Sequence, residues 1–411
     1  MKQSVLIILS IALSAISCKK KTETVTPSPP PVIVTYNSDI NLASTQQTIR
    51  GFGGATVFRP DLTDADINTL FGTSDNQLGL SILRIRVNPN GSSQWSTELS
   101  NAKRAKALGA IVMATPWSPP ASMKTNNNTT GGKLSTTSYG DYAAYLTSFA
   151  DYMKTNGAEL YALSIQNEPD IQVNYESCDW TGQEMTDFVK SNTFNFGNTK
   201  LMAAESFNFN QSFTDVILND AAAASKVGII GGHIYGSGLK KYDNAIGKGK
   251  EVWMTEHLDT LTTWTSVLAT AKEIHDCIAT ANYNAYIWWY IKRFYGPIDE
   301  SGQITKRGCV MAQFSKYIRF GYQRVDATNP TTDVYVSAYK GNGKTVLVAV
   351  NMNSSAKSIK FNISGGTLPS SFTPHVTSGT KNLSTETSIN VSGGSVTYEL
   401  PASSITTLTS N

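Results

Sequence analysis

The sequence is poor in the groups that metal and redox chemistry use. Its 411 residues include four cysteines and four histidines. Neither forms a Cys-x-x-Cys pair or a Cys/His set at metal-ligand spacing. Cys178, Cys277 and Cys309 lie far apart, so they can form at most one disulfide and require none. A phosphate-binding turn of the GxGxxG kind is also missing, because Gly51-Phe52-Gly53-Gly54 lacks the spacing. That run is read as a tight turn or a close backbone approach. No cofactor is implied, and no residue is assigned to a metal.

Excess charge is lacking too. A formal net charge of +3 over this length gives no general attraction to polyanions, and so no case for a nucleic-acid partner. Long apolar runs are confined to the start of the chain. Met1-Lys2 and the run from Val5 to Ile16 are too short for a comfortable bilayer span and read as an export signal. The signal (1–18) closes on Ala15-Ile16-Ser17-Cys18, which resembles a bacterial lipobox, with Cys18 as the lipidated first residue of the mature chain. A Lys- and Pro-rich tether follows over 19–31, extended and burying nothing. The expectation is an exported cell-envelope lipoprotein, periplasmic or on the outer surface. It would be monomeric and would meet the membrane only through the Cys18 anchor.

Aromatics are plentiful: seven Trp and eighteen Tyr serve core packing and can also serve sugar stacking. With 40% hydrophobic residues the chain can bury one large core and a smaller one. From residue 49 a β/α alternation begins. Strands are expected at 50–54, 80–87, 110–115, 160–166, 200–204, 227–234, 251–255 and 284–290. Helical spacing runs through Tyr142, Tyr145, Leu146, Phe149, Tyr152 and Met153 up to a cap at Asn156-Gly157. Thr181-Gly182-Gln183-Glu184 has capping-box spacing. Eight strands alternating with helices over 49–321 predict a (β/α)₈ TIM barrel rather than a doubly wound sheet.

After a helix at 310–318 the pattern changes to short alternating strands at 334–339, 345–350, 358–361 and 395–400. Residues 322–411 are read as an antiparallel β-sandwich side domain. The strand within 32–48, too short to fold alone, is expected to pair into it.

In such a barrel, functional side chains gather at the C-terminal strand ends. Glu168 in Ser164-Ile165-Gln166-Asn167-Glu168-Pro169-Asp170 closes the fourth strand, and Glu256 in Val252-Trp253-Met254-Thr255-Glu256-His257 closes the seventh. Two carboxylates across one mouth are what retaining glycosidic cleavage needs. Glu168 is assigned as general acid/base and Glu256 as nucleophile, with Asn167 placed to donate to a sugar 2-hydroxyl.

These motifs resemble glycoside hydrolase family 30. The resemblance rests on Gly51-Phe52-Gly53-Gly54, on Thr115-Pro116-Trp117-Ser118-Pro119-Pro120, and on the segments around Glu168 and Glu256. Trp288-Trp289-Tyr290-Ile291-Lys292-Arg293-Phe294-Tyr295-Gly296-Pro297 narrows it to the glucuronoxylan-cleaving subfamily 8. The resemblance implies a retaining endo-β-1,4-xylanase on the polysaccharide glucuronoxylan. Arg293 would grip the carboxylate of a methylglucuronate branch, Trp117 and Tyr175 would stack on xylose, and Tyr235, Trp289 and Tyr295 would line the branch subsite. A guanidinium fork suits a carboxylate, although Arg293 could instead pair with Asp299 or Glu300. Of Trp288 and Trp289, adjacent on a strand, only one can face the cleft. The sequence departs from the subfamily pattern at Leu258, where a Tyr is usual, and the loop after it is short. Thr260 could partly substitute. Alternatives are a family 30 enzyme acting on undecorated xylan or on another β-glycan such as a β-1,6-glucan, and a non-catalytic glycan-binding lipoprotein.

Overall fold

The computed structural model describes residues 34–411; the export signal, Cys18 and the tether lie outside the described residues. After strand β1 (Thr35–Thr48) come eight strands that close into a parallel barrel in sequence order. These are β2 (Gly51–Ala55), β3 (Ile82–Val87), β4 (Ile111–Pro116), β5 (Ala162–Ser164), β6 (Lys200–Ser206), β7 (Val227–His233), β8 (Glu251–Glu256) and β9 (Ala285–Trp288). Helices alternate with them: α1 (Asp64–Phe71), α2 (Ser96–Ala107), α3 (Tyr139–Thr155), α4 (Gly182–Ser191), α5 (Gln211–Asn219), α6 (Ala221–Lys226), α7 (Asp243–Gly247), α8 (Trp264–His275) and α9 (Lys306–Ser315). Every expected barrel strand is present.

Local signals act as their chemistry requires. Thr181 and Glu184 form the reciprocal capping box that starts α4. Gly157, at φ 82°, takes the left-handed position just past α3. Gly51-Phe52-Gly53-Gly54 is not a turn but the body of β2. A Cβ on Gly53 would stand 2.0 Å from the Ile82 carbonyl oxygen, so this strand is glycine-rich because β3 crosses it closely.

The barrel interior is filled from its lower end by Ile82, Met113, Ala162, Met202, Ile229, Trp253, Ala285 and Ile287. Below them Tyr161 stacks on Trp253 at 5.6 Å, and Glu251 is held by Arg50 and Lys200. The barrel is therefore a packed plug, open for chemistry only at its upper end.

The side domain comprises β10 (Gln323–Ala327), β11 (Val334–Gly341), β12 (Lys344–Asn351), β13 (Lys357–Ser364), β14 (Ser371–Ser378), β15 (Ser384–Thr385), β16 (Ile389–Asn390), β17 (Ser395–Leu400) and β18 (Ser404–Ser410). They form one continuous sheet with β1, ordered β15-β14-β18-β12-β11-β10-β1-β13-β17, with β16 beside β14. The expected side domain of antiparallel strands is present and takes in β1, with one parallel pairing: β1 runs parallel to β13 while pairing antiparallel with β10. No hairpin constrains the direction of β1, because it enters the sheet from the far side of the barrel in sequence.

Period-two alternation docks this sheet. Along β12, Val346, Val348 and Val350 face the barrel helices, while Leu347 and Ala349 enter the sheet's own core with Phe361 and Leu408. Polar contacts fix the seam. Thr407 donates to the Gln313 carbonyl (2.6 Å), Gln313 to Thr377 Oγ1 (2.8 Å), and the Trp264 indole to the Ser403 carbonyl (2.9 Å). Cys178, Cys277 and Cys309 are buried free thiols.

Candidate active site

At the upper end of the barrel Arg84, on β3, projects inward and is fully buried. A lone guanidinium there must be compensated. Its Nη1 pairs with Glu256 Oε2, its Nη2 reaches Asn167 Oδ1 (2.7 Å) and Glu205 Oε1 (3.1 Å), and its Nε reaches Thr115 Oγ1 (3.2 Å). One side chain thus ties together the ends of β4, β6 and β8 and the segment after β5.

Glu256 is the last residue of β8, as the sequence implied. Glu168 lies four residues past the end of the short β5, at φ 45°, in the left-handed region. A non-glycine residue there is strained and persists only when its surroundings hold it. Here the Glu168 N–H donates to the Glu205 carbonyl (2.9 Å). Asp170, two residues on, accepts from the Ser206 hydroxyl (2.7 Å) and the Phe207 N–H (3.0 Å), fixing the segment to the end of β6.

Both catalytic candidates are nearly enclosed, Glu168 at 5% and Glu256 at 6% exposure. Glu168 Oε1 meets His233 Nδ1 at 2.9 Å, and its Oε2 accepts from the Tyr175 hydroxyl at 3.1 Å. Glu256 Oε1 accepts from the Tyr235 hydroxyl at 3.0 Å. One oxygen of each carboxylate and a ring nitrogen of His233 all lie within 4.8 Å of one another. That separation matches the roughly 5 Å spacing of a retaining pair rather than the wider gap of an inverting one.

Glu168, His233 and Glu256 have the donor types of a metal site, yet the geometry is that of paired charges. His233 Nδ1 is already bonded to Glu168, its Nε2 stands 3.9 Å from both Glu205 and Glu256, and Arg84 occupies the other side of Glu256. Burial alone would lower the His233 pKa, but Glu256, Glu168 and Glu205 together raise it to about 9, which favours the protonated ring. Burial would likewise raise Glu205, but Arg84 and His233 bring it down to about 2.

Above the carboxylates opens a cleft of about 430 Å³, lined by Phe58, Trp117, Tyr175, Phe207, Tyr235, Leu258, Trp289 and Tyr290. Trp117 in this lining is nearly enclosed. The ring packs against Trp289 (5.6 Å between centroids) and over the Arg84 guanidinium (4.8 Å), and Gln166 Nε2 holds its carbonyl at 2.7 Å. Trp288 turns away and is fully buried over Arg307, which leaves Trp289 as the tryptophan of the cleft.

The structure thus brings Glu168, Glu256, Asn167, Trp117, Tyr175, Tyr235 and Trp289 together. Tyr235, expected to line the branch subsite, is on the cleft lining and donates to Glu256. Arg293 and Tyr295 are not on the cleft lining, and Arg293 Nη1 pairs with Glu300 at 3.2 Å. Thr260 is exposed, and no hydrogen bond involves its side chain.

The sequence reading missed Arg84, Glu205 and His233. The signals were present: Arg84 interrupts the apolar run Ile82-Leu83-Arg84-Ile85, and Glu205 lies near the end of a barrel strand just as Glu256 does.

Comparison with known proteins agrees with this geometry. Residues 85–274 match the model of the glycosyl hydrolase family 30 TIM-barrel domain. The chain is 40% identical to the glucuronoxylanase XynC of Bacillus subtilis strain 168, over 92% of this chain and 93% of that one. A family 30 subfamily 8 xylanase from Clostridium acetobutylicum superimposes with a TM-score of 0.87 at 44% identity, covering 91% of this chain and 99% of the other. A family 30 endoxylanase from Clostridium papyrosolvens does so with a TM-score of 0.85, again at 44% identity, over 91% and 100%. A barrel with this carboxylate pair, a side sheet woven from both chain ends and likeness along nine-tenths of its length place the protein in glycoside hydrolase family 30.

Proposed function

We propose that the protein is a retaining endo-β-1,4-xylanase that cleaves glucuronoxylan. The observation that carries the reading is the enclosed carboxylate pair within 4.8 Å at the floor of an aromatic cleft. The names of the 40–44% identical relatives, a glucuronoxylanase and two xylanases, supply the substrate class.

Glu256 attacks the anomeric carbon while Glu168 protonates the departing glycosidic oxygen; the bond to the leaving sugar breaks as the glycosyl-enzyme ester forms. Glu168, now ionised, takes a proton from water, which displaces Glu256 with a second inversion. Arg84 and Tyr235 hold one oxygen of Glu256 each, so the nucleophile is oriented before substrate arrives. With Asn167 Oδ1 committed to Arg84, its amide NH₂ is the end left to donate to the sugar 2-hydroxyl. Trp117, Tyr175 and Trp289 offer ring faces for xylose.

Arg293 is assigned to the methylglucuronate branch, with Tyr295 beside it. Its present partner is Glu300, which is about half exposed, so the pair is weakly held and a substrate carboxylate can exchange into it. Competition from Glu300, together with Leu258 in the cleft where a hydroxyl donor is usual, favours an enzyme that also accepts undecorated chains. Digestion of glucuronoxylan and of linear xylan, with product masses and anomeric configuration followed by NMR, tests the proposal. The expected result is retention, with products cut at a fixed distance from each branch. Equal rates and unpatterned products remove the role of Arg293. Release of sugar from a β-1,6-glucan, indifferent to Arg293→Ala, points to the other β-glycan. Absence of any cleavage makes the protein a glycan-binding module.

The anchoring of a monomer in the cell envelope through Cys18 rests on the leader sequence alone. Incorporation of labelled palmitate, abolished by Cys18→Ala, is the expected outcome.

A further inference from the structure

Beside the two catalytic carboxylates lies a third, which takes no part in the bond and proton transfers of the proposed reaction. Glu205 is fully buried and sits at φ 47°, a left-handed conformation that a glutamate adopts at a cost. Its Oε2 has no hydrogen-bond partner, and its Oε1 faces Arg84 (3.1 Å) and His233 Nε2 (3.9 Å). A strained, half-satisfied buried carboxylate would ordinarily be replaced by something cheaper.

The charge count suggests its use. Glu168 from the segment after β5, Glu205 from β6 and Glu256 from β8 all face His233, and Tyr235 packs edge-on to it from just beyond β7. Arg84 from β3 touches Glu205 and Glu256 from beneath. Two cations, Arg84 and His233, stand among three carboxylates. With Glu205 and Glu256 ionised the cluster is neutral when Glu168 carries its proton, which is the state the first chemical step needs.

The hydrogen bonds also determine where that proton sits. If His233 is doubly protonated, Nδ1 can only donate, so Glu168 Oε1 is an acceptor. The proton then belongs on Oε2, beside Tyr175 and the cleft. If His233 were neutral with a bare Nδ1, the Glu168 proton would be drawn down onto Oε1, away from the substrate.

We propose that Glu205 is a positioning residue for glycosidic cleavage: it keeps His233 in its donor-only form, and His233 in turn holds the Glu168 proton on the oxygen that faces the substrate. This rests on Glu168 being the acid.

The test is the pH profile of kcat/KM on xylan for the wild type, Glu205→Gln and Glu205→Asp, with folding followed by circular dichroism. Removing the negative charge makes proton loss from its neighbours easier. The basic limb of Glu205→Gln should therefore move down by about one unit or more, while Glu205→Asp keeps the wild-type profile. A uniform fall at every pH, with the limbs unmoved, overturns the proposal in favour of a purely structural role. If Glu205→Gln does not fold, ¹⁵N NMR of the wild-type His233 ring decides. An imidazolium from pH 5 to 8 is expected, and a neutral ring with bare Nδ1 in that range overturns it. An activated aryl xyloside, whose leaving group needs no proton, separates this from the parent reading. If the wild type shows the same basic limb on that substrate, the limb is not that of Glu168 and the acid/base assignment fails, whatever Glu205 does.

Discussion

The barrel mouth and the side sheet solve burial in opposite ways. In the barrel, Asp66, Arg84, Glu98, Lys124, Glu168, Glu205, His233, Glu256, His275 and Arg307 are all withdrawn from water. In the sheet, among the described residues, no Asp, Glu, Lys, Arg or His is buried, and the enclosed polar groups are Ser, Thr and Asn such as Ser337, Asn351, Thr377, Ser404, Thr406 and Thr407. A hydroxyl can satisfy itself on a nearby carbonyl at little cost, whereas a buried charge demands a partner of opposite sign. The difference separates a region built for reactivity from one built for support. The sheet meets the barrel in a seam along α8 and α9, and Gln47 and Arg324 reach the segment between α8 and β9.

Mutations at the mouth and in the sheet should therefore fail differently. The largest effect belongs to Glu256→Gln and Glu168→Gln. Xylan turnover should fall by about 10⁴-fold or more for the first and roughly 10²- to 10⁴-fold for the second, with the melting temperature little changed. If Glu256→Gln leaves turnover intact, the mouth is not the reactive region. Next, Arg84→Met strands Glu205 and Glu256 without their cation and should cost roughly 3–5 kcal/mol of stability in denaturant titrations, together with most of the activity. Its counterpart in the sheet, Leu408→Ala, opens a cavity among the sheet's own apolar side chains. It should cost roughly 2–5 kcal/mol while kcat, measured well below the melting temperature, stays at the wild-type value. Loss of kcat there would mean that the sheet does more than support.

The seam between the two regions should respond to acid. Burial lowers the pKa of His275, which packs on Tyr335, and of His375, stacked on Tyr317, from 6.5 to about 4 in each case. The unfolded chain takes up these protons near pH 6.5, while the folded one refuses them until about pH 4. Their contribution to stability is therefore present above pH 6.5 and lost as the pH falls toward 4. His233 has the opposite sign. Its contribution is complete below pH 6.5 and disappears as the pH rises through about 9. Melting curves against pH should show His275→Gln and His375→Gln each removing up to about one proton from the acid slope, with the mouth unaffected. The smallest effect is that of Glu300→Gln. Freeing Arg293 of a surface partner should lower KM on glucuronoxylan by roughly 2- to 5-fold and leave linear xylan unchanged.

Much of the architecture was legible because period and punctuation agree in this chain. Glycine caps, a capping box and short apolar strands at even spacing left little choice but a barrel. Glu168 and Glu256 could be read because each follows a strand inside a run rich in other signals. Arg84 and His233 could not be read as easily, since their role depends on which residues of distant strands meet them across the barrel axis. Arg293 shows the same limit from the other side. The sequence left it open between a substrate carboxylate and Asp299 or Glu300, and only the folded loop shows that Glu300 is its partner here. In the sheet, the alternation marked β11, β12, β13 and β17, but nothing local could specify that β1 would run parallel to β13.

That last pairing has a consequence for how the chain is made. Thr35 bonds to Ser358 across 323 positions, and β1 has partners on both of its edges only once β10 and β13 exist. During synthesis, the barrel can assemble while β1 waits as an unpaired ribbon, and sheet closure is necessarily a late event with a long loop to close. A circular permutant that moves β1 to follow β18 would bring β1 closer in sequence to β10 and β13, and in refolding of the full-length chain the interval between barrel formation and sheet closure should shrink accordingly.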